Sequence, residues 1–196
     1  RRIVINPKIF IYPSKNSYII LGYSNTYESK LGGDIDYIKN GDDGYHRYYE
    51  QNISDRNVIQ AKYSTTFSNK GVMIIQNSVS VFNRHIKLPG YSFDGNQLSS
   101  FSEINYSRLA KRHDYVFGIT VSTDKFTQKD NGSRYILNQD YNSYGIFAQD
   151  NYKVTQKLFV EAGGRLDNNN KYGIFALPKL SLLYKFNNKL TSRIGG

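Results

Sequence analysis

Cysteine and tryptophan are absent from this chain of 196 residues, there is a single methionine, and no apolar run is long enough for a membrane-spanning helix. Without cysteine there is neither a disulfide framework nor a thiolate metal site. A spanning helix needs roughly 20 apolar residues in a row, so helical insertion is excluded. No signal-peptide pattern opens the chain, which begins at Arg1. A P-loop, a zincin motif and a Ser, His and Asp arrangement are also missing, so catalysis is not expected and no cofactor is implied. His46, His85 and His113 are the only histidines, and none has a second His at ligand spacing. Asp34, Asp36, Asp42 and Asp43 crowd around Gly41 and Gly44, but their spacing is not that of an EF-hand loop and reads as a solvated turn. No metal site is expected.

What the chain does have is alternation. In Leu158–Asp167 the even positions (Leu158, Val160, Ala162, Gly164, Leu166) are uncharged, and the odd ones include Glu161, Arg165 and Asp167. Tyr172–Phe186 keeps that parity, with Ile174, Ala176, Pro178, Leu180, Leu182 and Tyr184 opposite Lys179, Ser181 and Lys185. A period of two over ten to fifteen residues means β-strands. Strands of a soluble sandwich average nearer five or six residues, whereas a tilted strand crosses a bilayer in about nine to eleven. A mean hydropathy of −0.58 does not oppose this reading, since only every second residue of such a strand meets lipid. Eighteen Tyr and eleven Phe would supply interfacial belts. The net charge of +10 is dispersed over strand ends and loops, with no stripe of cations and stacking aromatics, and does not describe a nucleic-acid footprint.

Upstream, Ile59–Phe67 and Val72–Arg84 read as a hairpin around Ser68–Gly71, followed by strands at Ser99–Ala110, from Tyr115, and at Ser143–Val154. Short connections (Ser68–Gly71, Lys111–His113, Thr155–Lys157, Asn187–Asn188) alternate with longer ones at Leu88–Leu98, Thr127–Asn142 and Asn168–Lys171. Outer-membrane barrels have short periplasmic turns and long external loops, so the segments near Gly90 and Gly132 are expected to face outward. Before Asn57, strands are expected at Ile3–Tyr12, Ser17–Tyr27 and Leu31–Lys39, with turns at Pro13–Ser14 and Asn40–Gly44; Tyr45–Gln51 is left open. The fold class is all-β, an antiparallel transmembrane barrel portion of ten or eleven strands, without an internal domain boundary. Because both ends lie in strands, the chain is expected to be a fragment of a larger barrel. Three features are awkward. Asp150 falls on the lipid parity, which suggests an interface or a bulge; Pro178 sits mid-strand, where a bulge or kink is expected; and Val72, Ile74 and Phe82 are apolar on the lumen face.

The run FAQDNYKVTQKLFVEAGGRLD resembles the barrel signature of TonB-dependent outer-membrane receptors, through Phe147, Gln149, Asp150, Tyr152, Thr155, Gly163, Arg165 and Asp167. YGIFALPKLSLLYKFNNKLTSRIGG is similar to the next hairpin of that family, and LGGDIDYIKNGDDGYHRYYEQN and PGYSFDGNQLSSFSEINYS look like its Bacteroidetes-type members. The resemblance implies the wall of a plugged, 22-stranded barrel in the outer membrane of a Gram-negative bacterium. It implies energised uptake of a scarce ligand, such as an iron siderophore, haem, cobalamin or glycan. The implied partners are the remaining strands and plug, lipid, the small-molecule ligand, and the TonB energy-coupling protein acting through a segment outside these residues. No plug domain is identifiable in 1–196. A passive porin-like channel and a soluble β-rich adhesion module are the alternatives. Glu161, Arg165, Lys179, Lys185 and Arg193 share one parity on consecutive strands and are the candidate contacts to plug or ligand, expected as a cross-strand ladder.

Overall fold

The computed structural model describes residues 1–129 and 136–196; its eleven strands form a single antiparallel sheet. They are β1 (Arg2–Ile5), β2 (Lys8–Ser14), β3 (Ser17–Gly33), β4 (Tyr49–Thr66), β5 (Val72–Leu88), β6 (Tyr91–Ala110), β7 (His113–Gln128), β8 (Asn138–Lys153), β9 (Leu158–Asn169), β10 (Gly173–Lys185) and β11 (Thr191–Gly195). A short helix, α1 (Ile35–Asn40), lies between β3 and β4. From β3 onward each strand pairs with the next, so the sheet is a meander. β1 and β2 line up along the same edge of β3, interrupted at Pro7, which has no N–H to donate but whose carbonyl accepts from Tyr23 N at 3.1 Å.

Polarity is inverted relative to a soluble protein. Among the described residues no apolar side chain is buried, while the buried polar side chains are those of Ser17, Ser64, Thr120, Gln128, Glu161 and Ser181. The ladder register explains why. It places Ile19, Leu21, Tyr23, Ile59, Tyr63, Met73, Ile75, Ile104, Tyr106, Phe117, Ile119, Tyr144, Ile146, Leu166, Ile174, Leu180 and Leu182 on one face. Charged, amide and hydroxyl side chains occupy the other face opposite this band, interspersed with Val72, Ile74, Phe147 and Phe159. An apolar outer face and a wetted inner face are what a bilayer asks of a closed barrel wall.

At the end of the wall that carries Lys15–Asn16, Phe67–Gly71, Lys111–Arg112, Val154–Lys157 and Phe186–Leu190, the outer face bears Tyr63, Tyr106, Tyr115, Tyr152 and Tyr184. Tyr106 packs against Phe67, Tyr115 and Phe117 with ring centroids 6.2, 6.4 and 5.5 Å away. These aromatics form the interfacial belt expected where apolar wall meets water.

Several expectations are corrected. Leu31–Lys39 is not a strand: β3 runs through Gly33, and Asp34 then caps α1 by accepting from Asp36 N at 2.9 Å. Gly33 adopts φ 128°, which turns the chain out of the sheet. β4 begins at Tyr49, so most of Tyr45–Gln51 precedes or opens that strand. The turn after β2 is Lys15–Asn16; Pro13 lies in a bulge, where Tyr12 and Pro13 oppose Tyr18 alone. Leu88–Leu98 is not a long loop but a turn of two residues, Pro89 and Gly90, with Gly90 at φ 74°, between strands that extend well past the apolar band. Gly132 lies outside the described residues. The two longest connections, 34–48 and 129–137, nevertheless share one end of the wall.

Pro178 stays in register opposite Gly164 with no bulge. Leu180 exchanges both backbone hydrogen bonds with Gly196, on the β11 side. Pro178 has the same parity, so its missing donor points away from β9 and costs that ladder nothing. Asp150 is likewise in register, and its Oδ2 lies 2.6 Å from Nδ1 of His113 within the tyrosine belt. His113 is therefore the first residue of β7, not part of the turn; it stays exposed while stacking on Tyr152 at 4.6 Å.

Candidate functional site: the charged inner face

The five candidate residues all point to the inner face, but they form three groups and not one ladder. Glu161, on β9, is 8% exposed and takes ion pairs from Lys179 on β10 and Arg193 on β11. Ser181 lies opposite Glu161 in the ladder and accepts from Arg193 Nε at 2.8 Å, while Lys179 Nζ also reaches Gln149 Oε1 at 3.3 Å. A carboxylate held by two cations from the next two strands ties β9, β10 and β11 together by side chains as well as backbone.

Arg165 is held apart from this group. Its Nε donates to Asp167 Oδ2 at 2.7 Å, its Nη2 donates to Thr120 Oγ1 at 2.7 Å, and its guanidinium lies 5.9 Å from the Phe147 ring. The room for it comes from Gly145, where a Cβ would stand 2.6 Å from Thr120 Oγ1 and 2.7 Å from Arg165 Nη2. Lys185 lies over the Phe159 ring at 4.8 Å, with Lys153 at 5.9 Å from that same ring. Between the first and third groups runs a groove of about 560 Å³, lined by Asp114, Asn151, Glu161, Lys179, Lys185 and Arg193. Its mixed charge and open shape suit a packed polypeptide or a hydrated ligand.

A second inner patch lies toward the other end of the wall. The register joins Thr26, Arg56, Phe82, Gln97 and Phe126 in one row. Arg56 covers the Phe82 ring at 4.4 Å, Phe93 stacks on Phe126 at 6.2 Å, and Arg84 Nε donates to Asn52 Oδ1 at 3.3 Å. Phe82 carries a signal in the sequence as an apolar residue of inward parity. Arg56 does not, because it precedes the stretch in which alternation becomes clear.

Among the described residues Asp34, Asp36 and His46 bring their ligand atoms within 4.8 Å of one another beside α1. Local turn chemistry accounts for this cluster. Asp34 caps the helix, Asp42 accepts from Gly44 N at 2.9 Å, and Asp43 accepts from the backbone of Tyr45 and His46 at 2.9 and 2.7 Å. Those bonds, together with the His46 ring, hold the Asp43 carboxyl far below the usual carboxylate range; in return, the Asp43 side-chain bond raises His46 above the usual imidazole value.

The geometry defines a class: an antiparallel β-wall with lipid on one face and a charged lumen on the other. The chain belongs to the TonB-dependent receptor-like β-barrel family, whose model matches residues 8–195. No curated protein matches it. Among solved structures it is similar to the alcaligin outer-membrane receptor FauA from Bordetella pertussis, with a TM-score of 0.83 at 10% identity, covering 99% of this chain and 34% of that one. The ferripyoverdine receptor of Pseudomonas aeruginosa bound to ferripyoverdine gives 0.82 at 13% identity, with 99% and 35% covered. The FpvAI–pyocin S2 complex gives 0.82 at 13%, with 99% and 34% covered. This chain thus spans about a third of the length of the structures it matches.

Proposed function

We propose that residues 1–196 are barrel wall of a Gram-negative outer-membrane receptor that takes up a ferric siderophore by an energised mechanism, and that the chain is a portion of a larger, 22-stranded barrel. The observation that carries the reading is the family match over 8–195 on a wall whose inner face is lined by fixed charge pairs. The likeness to alcaligin and ferripyoverdine receptors supports the choice of cargo. In this reading the shared end of the two longest connections is external. The Arg56, Phe82 and Arg84 patch then lies toward the external mouth, where its cations favour an anionic chelate. Glu161, Lys179, Arg193, Lys185 and Arg165 lie deeper, where a plug fills the lumen, and the TonB protein acts on the receptor from the periplasm.

Uptake of labelled ferric siderophores, haem, cobalamin and glycans by cells whose only such receptor carries this wall tests the cargo. Energy-dependent uptake of a ferric siderophore is expected, and uptake of another cargo instead overturns the assignment. Arg165→Ala is expected to lower uptake at normal surface abundance. Unchanged uptake would assign Arg165 to the wall alone.

A further inference from the structure

Five connections close the tyrosine-belted rim of the wall, and each carries a cation. They hold Lys15, Lys70, the pair Lys111 and Arg112, Lys157 and Lys189, without a single Asp or Glu among their residues. The opposite rim is mixed: its connection 34–48 alone carries Asp34, Asp36, Asp42 and Asp43 beside Lys39 and Arg47. All six rim cations are exposed, and none takes part in an ion pair among the described residues. The acids nearest them are otherwise placed. Asp114 faces the lumen groove, and Asp150 is engaged by His113.

Backbone conformation adds an independent observation. Lys70 and Lys111, at φ 62° and 53°, are the two non-glycine residues of the described chain with positive φ. Glycine or asparagine relieves the strain of that conformation, so lysine is an expensive choice for the turn itself. Both lysines nonetheless stand on this rim. Neighbouring turns are two strands apart, about 10 Å, a little beyond the screening length of about 8 Å at physiological ionic strength, so each turn meets a headgroup largely on its own. The belt of Tyr106, Tyr115, Tyr152 and Tyr184 sets the level where hydrocarbon ends, and the cations lie immediately beyond it, at the depth of lipid phosphates.

We propose that this rim is a binding collar for anionic phospholipid, with Lys15, Lys70, Lys111, Arg112, Lys157 and Lys189 contacting headgroup phosphates of the adjoining leaflet. Arg108, near the end of β6 on the membrane face, adds one more cation at the level of the tyrosine belt. The collar anchors the wall at a fixed depth. It depends on the wall lying in a bilayer and is independent of the cargo.

The test places the receptor that carries this wall in nanodiscs of phosphatidylglycerol and phosphatidylcholine in equal parts and counts retained lipids by native mass spectrometry. Wild type is expected to enrich phosphatidylglycerol, and the combined K15Q, K70Q, K111Q, R112Q, K157Q, K189Q variant is expected to lose that enrichment by about tenfold or more, each surface cation being worth severalfold. Added salt should weaken the enrichment in wild type. Gel mobility before and after heating checks that the variant barrel is folded; if the combined variant does not fold, K111Q/R112Q alone carries the test with a smaller loss. K129Q/K171Q, on the opposite rim, should leave the enrichment unchanged. Equal lipid ratios in wild type and variant overturn the proposal, as does full displacement of the lipid by inorganic phosphate or a rim that retains an acidic protein instead. Siderophore uptake is measured separately, so its failure leaves this result standing.

Discussion

β3–β6 and β9–β10 belong to one meander but obey different rules. β9 and β10 are 12 and 13 residues long, and their outer-face apolar positions run nearly from end to end. β3, β4, β5 and β6 are 17, 18, 17 and 20 residues long, and beyond the apolar band their outer face turns polar. There Asn25 and Asn57 both donate to Asp55, and Asn96 donates to Asn83 at 2.6 Å. The membrane sets the width of the apolar band but not the length of a strand. Where strands outrun the bilayer, side-chain amides on the outer face replace lipid contact.

The largest test of this contrast is a charge on the outer face. Ile119→Arg, inside the band, should destabilise the folded wall by about 2–4 kcal/mol, whereas Asn83→Arg, beyond it, should cost about 0–1 kcal/mol. Urea titration in lipid vesicles measures both, and equal costs would erase the distinction. Next, Glu161→Gln replaces the carboxylate shared by Lys179 and Arg193 with a neutral amide that has one acceptor oxygen, and should cost about 1.5–3 kcal/mol in the same titration. A third comparison uses glycines. A Cβ at Gly118 would stand 2.6 Å from the Ile104 carbonyl oxygen, so Gly118→Ala should cost about 1–3 kcal/mol. Gly32, in the projecting part of β3, has nothing within 4 Å of such a Cβ, and Gly32→Ala should be neutral or slightly stabilising.

The smallest effect is pH-dependent and confined to the α1 connection. His46 is raised, so its bond to Asp43 contributes fully below the ordinary imidazole value and is lost as pH rises through the raised one. Asp43 is depressed, so its contribution is present above the ordinary carboxylate range and is lost as pH falls through the depressed value. The Tyr45 and His46 amides should therefore be best protected from hydrogen exchange between about pH 4 and 6.5. The Pro89–Gly90 turn has no titrating group and should show no such window.

The same contrast decides what could be read from the residues. From Gly145 onward strand span and membrane span coincide, so parity identifies both the strands and their lipid face. In β3–β6 the projecting segments are polar on the outer face while the inner one carries Phe82 and Phe93, so the alternation is lost, and a stretch such as Tyr91–Leu98 looks like a loop although it is ladder throughout. The strand reading of Leu31–Lys39 failed because the Asp34 cap and Gly33 conformation outweighed the apolar residues around them. Parity put Glu161, Arg165, Lys179, Lys185 and Arg193 on one face, and the ladder keeps them together opposite the apolar band. It carried no information on how long side chains would choose partners, and so could not separate the Arg165 group from the Glu161 group.

The tyrosine belt also measures an angle. Following the ladder from Tyr63 on β4 across six strand steps leads to Ala176 on β10, yet the belt residue of β10 is Tyr184, eight positions further along the chain. If the belt marks one depth in the bilayer, the strands advance about 26 Å along themselves while the sheet advances about 29 Å across, at the usual rise and spacing. That corresponds to a tilt of about 40°, within the range at which a sheet rolls into a tube. A backbone hydrogen-bonded row is therefore a slanted path through the membrane, running from mid-wall on one strand to the rim a few strands later, and two side chains that face each other across many strands sit at different depths.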